Sequence, residues 1–329
     1  MNAKKRRSVF LEWCGAAMCA VLPFTEAVAQ SYPVKPIRIF VGFAAGSSAT
    51  DMAARMLAQK LSDQLGQPVI VENRAGSGGI IATEFVAKSA PDGYTLLMMA
   101  AADSIQPAIR AKMPYDMPHD FSPISLVVTG PFVLVVHPSV PAKTVKDLIA
   151  LARARPGQMN YASSGVGSSA HLAAELFNSL AHIKTLHVPY KGSSQTVVAT
   201  ANGEVDMVIV SITGARPLTE AGKLRVLAVS TAKRTALMPS VPTIHESGVA
   251  GYARTGWYGL IGPASIPKEI LSKLNATIVQ AVNVPDMKAA FFRQGLETET
   301  NTPEQFTEMI RREVDQNIKL TRASGIRPE

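Results

Sequence analysis

Short apolar segments that alternate with amphipathic ones constrain the fold of this chain more than any other feature. The first, residues 37–43, is apolar at nearly every position, as a parallel strand covered on both faces should be. A helix is predicted over 49–65, because its apolar residues recur on one face and Gly66 follows as a terminator. Further strands over 68–74 and 94–100, with a second helix between them, complete the order β-α-β-α-β. This order predicts a parallel sheet with helices on both faces.

The same alternation begins again in the second third of the chain. Helices are predicted over 144–155 and 168–181, and strands follow at 186–190 and 205–212. The chain therefore contains two successive α/β units, and we place the pivot between them within 129–137.

Two helix signatures end the chain. Pro267 opens the first, and Thr302, Pro303 and Gln305 form a capping box with proline at the first helical position of the second. Two helices and one short strand are too little for a third domain. We therefore expect this segment to pack back on an earlier unit, so that the chain crosses between lobes twice.

The N-terminal residues carry the pattern of an export signal. A basic cluster, Lys4–Arg7, precedes an apolar run over 13–24 and the small residues Ala27–Ala29. This order predicts a secretory signal peptide, residues 1–29, and hence a protein that works outside the cytoplasm. A membrane anchor is the alternative, although the apolar run is too short to span a bilayer.

Both cysteines, Cys14 and Cys19, lie in that segment, which leaves the mature chain without disulfides, thiolate metal ligands or a cysteine nucleophile. Without this segment, which has four basic and two acidic residues, the net charge falls from +8 to +6. The basic residues are scattered, so no nucleic-acid surface is indicated.

Three loops share one design, in which a strand ends, glycines and serines follow, and a helix begins. They span 43–51, 161–171 and 189–195. The free N–H groups and the partial positive charge at a helix start bind carboxylate or phosphate without a basic side chain. The alternative interpretation is that the serines are N-caps and the glycines turn residues. Three such loops in two units favour an anion site.

A serine hydrolase is the competing hypothesis, with Ser168 as its nucleophile. The loop lacks the spacing G-x-S-x-G of a nucleophile elbow, since it reads Gly165-Val166-Gly167-Ser168-Ser169. His171 lies on the first turn of the same helix, where the helix dipole disfavours an imidazolium. We expect this histidine to be a neutral hydrogen-bonding group that holds the loop.

Cofactor and metal sites are not indicated. The glycines do not fit a dinucleotide fingerprint with its acidic residue after the next strand, and no Walker pattern occurs. The six histidines show no metal-binding spacing. We therefore predict neither a cofactor nor a metal.

The ordered motifs FAAGSSATD, VENRAG, DGYTLLM, YASSGVGSSAHL, VPYKG and GEVD resemble those of the Bug-type periplasmic solute receptors of tripartite tricarboxylate transporters. The resemblance runs from about Tyr32 to the C-terminus. It implies a type II periplasmic-binding-protein fold, with residues 30–130 and 255–329 in one α/β lobe, 131–254 in the other, and two crossing strands between them. It also implies a monomer that is not an enzyme, a small organic carboxylate as ligand, and membrane transporter subunits as transient partners.

The resemblance further implies which residues contact the ligand, largely through backbone amides and small hydroxyls. One departure is Ser47 where the family commonly has a second glycine, which adds a hydroxyl to the first loop. The contacts implied in the first lobe are Phe43, Ala45, Gly46, Ser47, Ser48, Asp51, Ala101, Ala102, Asp103 and Ser104. Those implied in the second lobe are Ser163, Gly165, Val166, Gly167, Ser168, His171, Tyr190, Asp206 and Ser211.

Overall fold

A single sheet of ten strands organises the chain, which the computed structural model describes over residues 32–46 and 48–328. The predicted signal peptide and Ser47 therefore lie outside the described residues. The strands are β1 (Ile37–Val41), β2 (Val69–Asn73), β3 (Thr95–Ala100), β4 (Phe121–Val136), β5 (Asn160–Ser163), β6 (Leu186–Pro189), β7 (Met207–Ser211), β8 (Arg225–Val229), β9 (Thr255–Pro263) and β10 (Glu297–Thr298).

Helices cover both faces of this sheet, and short 3₁₀ turns at Ser77–Gly79 and Asp103–Ile105 precede two of them. None of the helices described within 32–328 is long and apolar enough to cross a membrane. The α-helices are α1 (Ala49–Leu65), α2 (Ile80–Ala87), α3 (Gln106–Ile109), α4 (Val145–Ala154), α5 (Ser169–Ala181), α6 (Ser193–Ala201), α7 (Ile212–Glu220), α8 (Lys268–Asn283), α9 (Pro285–Arg293) and α10 (Pro303–Ala323).

The sheet runs through two lobes in the order β2-β1-β3-β9-β4-β7-β5-β6, with β8 and β10 paired to β4 outside this path. Lobe 1 contains β1 to β3, β9, β10 and the first half of β4, and lobe 2 contains β5 to β8 and the second half of β4. Strands β1 to β3 are parallel, as are β5 to β7, whereas β4 and β9 run antiparallel to their neighbours. The predicted two-lobed α/β architecture is confirmed. The prediction of lobe boundaries at 130/131 and 254/255 stays a prediction.

Strand β4 changes partners where it passes from one lobe to the other. Pro131 still pairs with Thr255 of β9, and the next residue, Phe132, pairs with Ser211 of β7. Proline has no N–H to donate, so a ladder is readily interrupted there. The change of partners falls inside the interval in which we placed the pivot.

Ser230 forms hydrogen bonds to both segments that connect the lobes, at Phe132 and at Arg254. Its N–H donates to the carbonyl of Phe132 at 3.0 Å, and its carbonyl accepts from the N–H of Arg254 at 2.8 Å. Its hydroxyl accepts from the N–H of Phe132 at 3.2 Å and donates to the carbonyl of Arg254 at 2.5 Å. One buried side chain therefore joins the two crossing segments.

Alternating side chains of each strand enter separate cores, which explains the continuously apolar strands. Ile37, Ile39 and Val41 of β1 pack against α1 and α8, whereas Phe40 faces the opposite side, where α2 and α10 lie. In lobe 2, α4 and α5 cover one face, and α6 and α7 cover the other. Both faces of the sheet are thus removed from water, which is the main source of stability.

Three helices, α3, α7 and α9, were not predicted, and α3 is only four residues long. Helix α7 contains Pro217, a residue that normally ends a helix because it lacks an N–H and clashes with the preceding turn. Helix α9 follows α8 after a single residue and buries only Phe291 among its side chains. The capping box of Thr302 and Gln305 at the start of α10 is confirmed.

Candidate functional site

The glycine- and serine-rich loops lie at the carboxyl ends of the parallel strands. Residues 42–48 follow β1, 101–104 follow β3, 164–168 follow β5, and 190–192 follow β6. Carboxyl ends of parallel strands meet at one edge, which is where open α/β sheets bind ligands. In each lobe, helix N-termini therefore converge on the edge that carries these loops.

Two of these segments meet across the lobes. A Cβ atom on Gly167 of lobe 2 would lie 2.8 Å from Cδ1 of Ile109, at the end of α3 in lobe 1. Close by, Ile105 and Leu172 share an apolar cluster with Leu320 of α10. The loop after β5 thus faces the segment after β3, and the glycine allows their close approach.

The buried carboxylate of Asp51 shapes the first loop. Its Oδ2 accepts from the N–H of Gly46 at 2.8 Å and from Nε of Arg55 at 3.0 Å, and its Oδ1 accepts from Nδ2 of Asn73 at 2.7 Å. Burial alone would raise the pKa of this carboxyl, but the hydrogen bonds from Arg55, Asn73 and Gly46 lower it. Ser48 caps α1 by accepting the N–H of Asp51 at 3.2 Å, whereas the carboxylate of Asp51 turns to Gly46. The carboxylate is therefore a support for the loop, with its oxygens already occupied.

The loop after β5 is built on internal hydrogen bonds of two side chains. The hydroxyl of fully buried Ser163 lies 3.1 Å from N and 3.0 Å from O of Gly165. The N–H of Gly167 donates to Nδ1 of His171 at 3.0 Å. Ser168 caps α5 by accepting from the N–H of His171 at 3.2 Å. The expectation that His171 holds the loop as a neutral group is confirmed, because an accepting Nδ1 carries no proton.

Three stacked rings, those of His171, His187 and Tyr161, support this loop. His171 lies 3.9 Å from His187 between ring centroids, with planes 10° apart, and His187 lies 5.0 Å from Tyr161. Nε2 of His187 is 2.6 Å from the hydroxyl of Ser163, and the Tyr161 hydroxyl donates to Glu175 at 2.6 Å. Burial lowers the pKa of His171 to about 4, with a further contribution from His187, and burial also lowers the pKa of His187.

Sequence analysis missed His187. The signal that could have found it is strand register, since β5 and β6 pair Tyr161 directly with His187. Register is a property of the assembled sheet, and the sequence by itself offers only one histidine in a short strand.

The geometry does not support a hydrolase at Ser168. Its hydroxyl accepts from the backbone of His171, while Nδ1 of that residue accepts from Gly167. A serine does bond to an imidazole in this loop, but it is Ser163 with His187, and Ser163 is fully buried. A buried hydroxyl cannot reach a substrate carbonyl.

Three of the predicted ligand contacts after β3, Ala101, Asp103 and Ser104, are buried and form hydrogen bonds within the protein. Asp103 accepts from the N–H of Ala100 at 2.7 Å, and burial raises its pKa to about 7 although that bond lowers it. The Ser104 hydroxyl donates to the carbonyl of Ala101 at 2.7 Å, and Ala101 donates its own N–H to Trp257. Ala102 is the one residue of the four with a half-exposed surface.

Asp206 lies away from the loops, which corrects the prediction made for it. It precedes β7, and its carboxylate accepts from the N–H of Asn160 at 2.8 Å while Asn160 Oδ1 accepts its N–H at 2.7 Å. Ser211 ends the same strand and caps α7 through the N–H of Gly214. The two residues therefore lie at opposite ends of β7, and only Ser211 lies at the edge with the loops.

The remaining predicted ligand contacts have solvent-accessible surface near the N-termini of helices and near small hydroxyl groups. Val166 is exposed, at 61 %. In the described part of the chain, no group of three His, Asp or Glu side chains could hold a metal. The accessible or half-exposed set is Phe43, Ala45, Gly46, Ser48, Ala102, Gly165, Val166, Ser168, Tyr190 and Ser211.

Comparison with known proteins gives consistent matches over nearly the whole chain. The family model "Tripartite tricarboxylate transporter family receptor" matches residues 53–326. Protein BugT of Bordetella pertussis is 37 % identical over 303 residues, which are 90 % of this chain and 91 % of that protein.

Two solved structures that resemble this chain contain a ligand. "R. palustris Rpa4515 with adipate" is 34 % identical with a TM-score of 0.76, over 91 % of this chain and 100 % of that one. "MatC (Rpa3494) from Rhodopseudomonas palustris with bound malate" is 28 % identical with a TM-score of 0.71, over 88 % of this chain and 99 % of that one.

Proposed function

Because this chain belongs to the tripartite tricarboxylate transporter receptor family and is therefore a solute-binding protein, we propose that it captures a small aliphatic dicarboxylate between its two lobes. The receptors of this family are periplasmic. We further propose that residues 1–29 are a cleaved signal peptide, that the receptor acts as a monomer, and that it delivers its ligand to membrane subunits of a tripartite transporter.

The observation that carries the proposal is the construction of the loop after β5. The Ser163 hydroxyl and the His171 ring are occupied inside the loop, so they hold its backbone in place ahead of binding. The start of α5 directly follows, with its partial positive charge. A preorganised loop at a helix start suits a carboxylate better than a neutral group.

The choice of a dicarboxylate rests on the two related structures, which hold adipate and malate. Each lobe offers helix starts, at α1 in lobe 1 and at α5 in lobe 2, so each lobe can receive one carboxylate. The exposed side chain of Val166 offers apolar contact to the methylenes between them. The contacts we propose are the ten accessible or half-exposed residues collected above.

We propose that binding is not followed by turnover, because the geometry at Ser168 supplies no paired base. A lobe division at 130/131 and 254/255 agrees with this function, since each lobe then contributes one side of the binding cleft. Closure on the ligand would occur about the segment where Ser230 joins the two crossings.

Calorimetric titration of the protein that starts at residue 30 tests the proposal, after unfolding and refolding have removed retained ligand. We expect adipate or malate to bind and adipamide, the uncharged analogue, not to bind. At about 100 times its dissociation constant, the ligand should stabilise the fold by about 2.7 kcal/mol. Failure of every mono-, di- and tricarboxylate in the panel to bind would exclude the proposed ligand class. Ester hydrolysis that Ser168→Ala abolishes would instead establish the hydrolase.

A further inference from the structure

A cavity of about 1000 Å³ lies beside the crossing strands, separate from the glycine- and serine-rich loops. Its walls come from α10, the start of β9, β10, and residues 231–234 after β8. None of the predicted ligand contacts lines it. A cavity of this volume is at the upper end of the range that holds small organic ligands.

Three side chains form one row across the floor of this cavity. Thr129 of β4 pairs with Trp257 of β9 on one side and with Glu297 of β10 on the other. Directly paired residues point to the same face of a sheet, so these three side chains stand together. Helix α10 covers this face, where the Trp257 indole N–H donates to Glu313 and its ring meets Phe306 edge to face.

Arg254 is a buried cation of this cavity. Its side chain is only 7 % exposed, and its nearest carboxylate oxygen, on Glu313, lies 3.9 Å from Nη1, beyond hydrogen-bonding distance. Its buried Nη2 has no hydrogen-bond partner among the described residues. A buried guanidinium is costly unless it is both paired and hydrogen-bonded, and a carboxylate is the acceptor that fits its fork. The side chain is therefore suited to an anionic group that enters the cavity.

Two further carboxylates of the lining lie at and just after β10. Glu297 belongs to β10 and Glu299 directly follows that strand, and both residues line the cavity. Burial raises the pKa of Glu299, and the charge of Glu297 adds to that effect. A nearby cation would relieve this repulsion.

Lys233, Arg234, Arg312, Glu304 and Glu308 also line the cavity, and two of the basic side chains among them are paired. Arg312 contacts Glu308, and Arg234 contacts Glu246 outside the cavity. Glu297 and Glu299 have no such cationic partner within the part of the chain that is described. The lining therefore offers a buried guanidinium and two carboxylates without an ion pair, one of which, Glu297, also accepts the N–H of Ala236 at 2.8 Å.

We propose that this cavity is a second binding site, for a small molecule that carries both a carboxylate and an ammonium group. The carboxylate binds Arg254, and the ammonium lies between Glu297 and Glu299. Because the walls come from both lobes, an occupant contacts both sides of the crossing strands.

Tryptophan fluorescence tests this site directly, since Trp257 is the only tryptophan after residue 13. We expect 4-aminobutyrate to change the emission of the protein that starts at residue 30 in a saturable way. Butyrate and butylamine, which each lack one of the two charges, should bind at least about tenfold more weakly. A wild-type protein that gives no saturable response to 4-aminobutyrate overturns the proposal.

Variants separate this site from the inter-lobe cleft. Arg254→Gln and Glu299→Gln should each weaken 4-aminobutyrate binding at least about tenfold, whereas Gly165→Val, which deforms the cleft loop at a φ of +123°, should leave it unchanged. The double variant Arg254→Gln with Glu313→Gln avoids a lone buried carboxylate if the single variant fails to fold, and it too should lose the response. Loss of the response in Gly165→Val, or its persistence in the folded double variant, would overturn the proposal.

Discussion

The imidazole of His171 lies 3.9 Å from that of His187, with the two ring planes 10° apart. Each ring supports the same loop through a different residue, His171 through Gly167 and His187 through Ser163. Two imidazolium rings at this separation would repel each other, so the neutral pair is the favoured state. The loop that we propose as half of the ligand site is therefore supported by two uncharged histidines.

Substitutions of His171 distinguish the contribution of its hydrogen bond from the contribution of its side-chain volume. His171→Asn places an amide oxygen where Nδ1 accepts the N–H of Gly167, whereas His171→Leu leaves that buried donor unpaired. We expect the leucine variant to lose about 1 to 3 kcal/mol of stability and to bind ligand more weakly, with partial rescue by asparagine. Denaturant unfolding and calorimetric titration measure the two effects, and equal losses in both variants would contradict this role.

The lowered pKa of His171 predicts how stability changes in acid. Its pKa falls from 6.5 to about 4 in the folded state, so between those values the unfolded chain binds the extra proton. Stability due to this group is thus complete above pH 6.5 and declines as the pH falls, by up to about 1.4 kcal/mol per unit. The difference between wild type and His171→Asn, measured by urea unfolding from pH 7 to 4.5, should shrink correspondingly. A difference independent of pH would disprove the assignment.

Asp103 has the opposite dependence. Burial raises its pKa from 3.8 to about 7, so the folded state binds the extra proton between these values and stability falls as the pH rises. Asp103→Asn can still accept the N–H of Ala100 and carries no charge. We expect the variant to be more stable than wild type at pH 8, and the advantage to disappear near pH 4. Thermal unfolding across this range decides, and a wild type that is the more stable at pH 8 contradicts the prediction.

The contact between Gly167 and Ile109 can be tested against a matched glycine. Gly167 (φ +73°) and Gly157 (φ +74°) have the same backbone conformation, but a Cβ on Gly157 would meet nothing within 4 Å. Alanine at either position should cost about 1 to 2 kcal/mol of backbone strain. We expect only Gly167→Ala to weaken ligand binding as well, because it forces the loop away from Ile109. Calorimetric titration of both variants gives the comparison, and equal affinities would exclude a role for this contact.

Ser168 can be compared with a cap remote from the site. Ser168 caps α5 and Thr144 caps α4, each by accepting the backbone N–H three residues on. Alanine at either position should lower stability by about 1 kcal/mol. Affinity for a carboxylate should fall in Ser168→Ala and stay unchanged in Thr144→Ala. An unchanged affinity in both variants would remove Ser168 from the proposed contacts.

Local signals were sufficient for much of the fold. The capping box at Thr302, the helix over 49–65 and the apolar strand that starts at Ile37 all appear at their predicted places. These features depend on residues a few positions apart, which sequence periodicity records. Helix α7 was not predicted because Pro217 stands inside it, and surrounding contacts outweigh that local preference.

The candidate site shows the limit of the same reasoning. Serines, glycines and a histidine near a helix start identified the loop, but not which of its groups are already bonded. Asp51 and Asp103 are polar residues of the kind that bind ligands, yet both are buried, both oxygens of Asp51 accept hydrogen bonds, and Oδ2 of Asp103 accepts the N–H of Ala100. Asp206 was assigned to the site although its strand carries it to the other end of the sheet.

The sequence by itself determined the alternation of strands and helices and the helix caps, and it predicted that the loops bind an anion, because each of these depends on neighbours along the chain. Only the tertiary structure decided that His187 stands behind Ser163 and that Arg254 lies buried near Glu313. These pairs come from separate elements whose approach depends on strand register and helix packing. Hydrogen bonds and burial depend on residues that are distant in sequence. Only the folded structure therefore shows which polar groups remain free to contact a ligand.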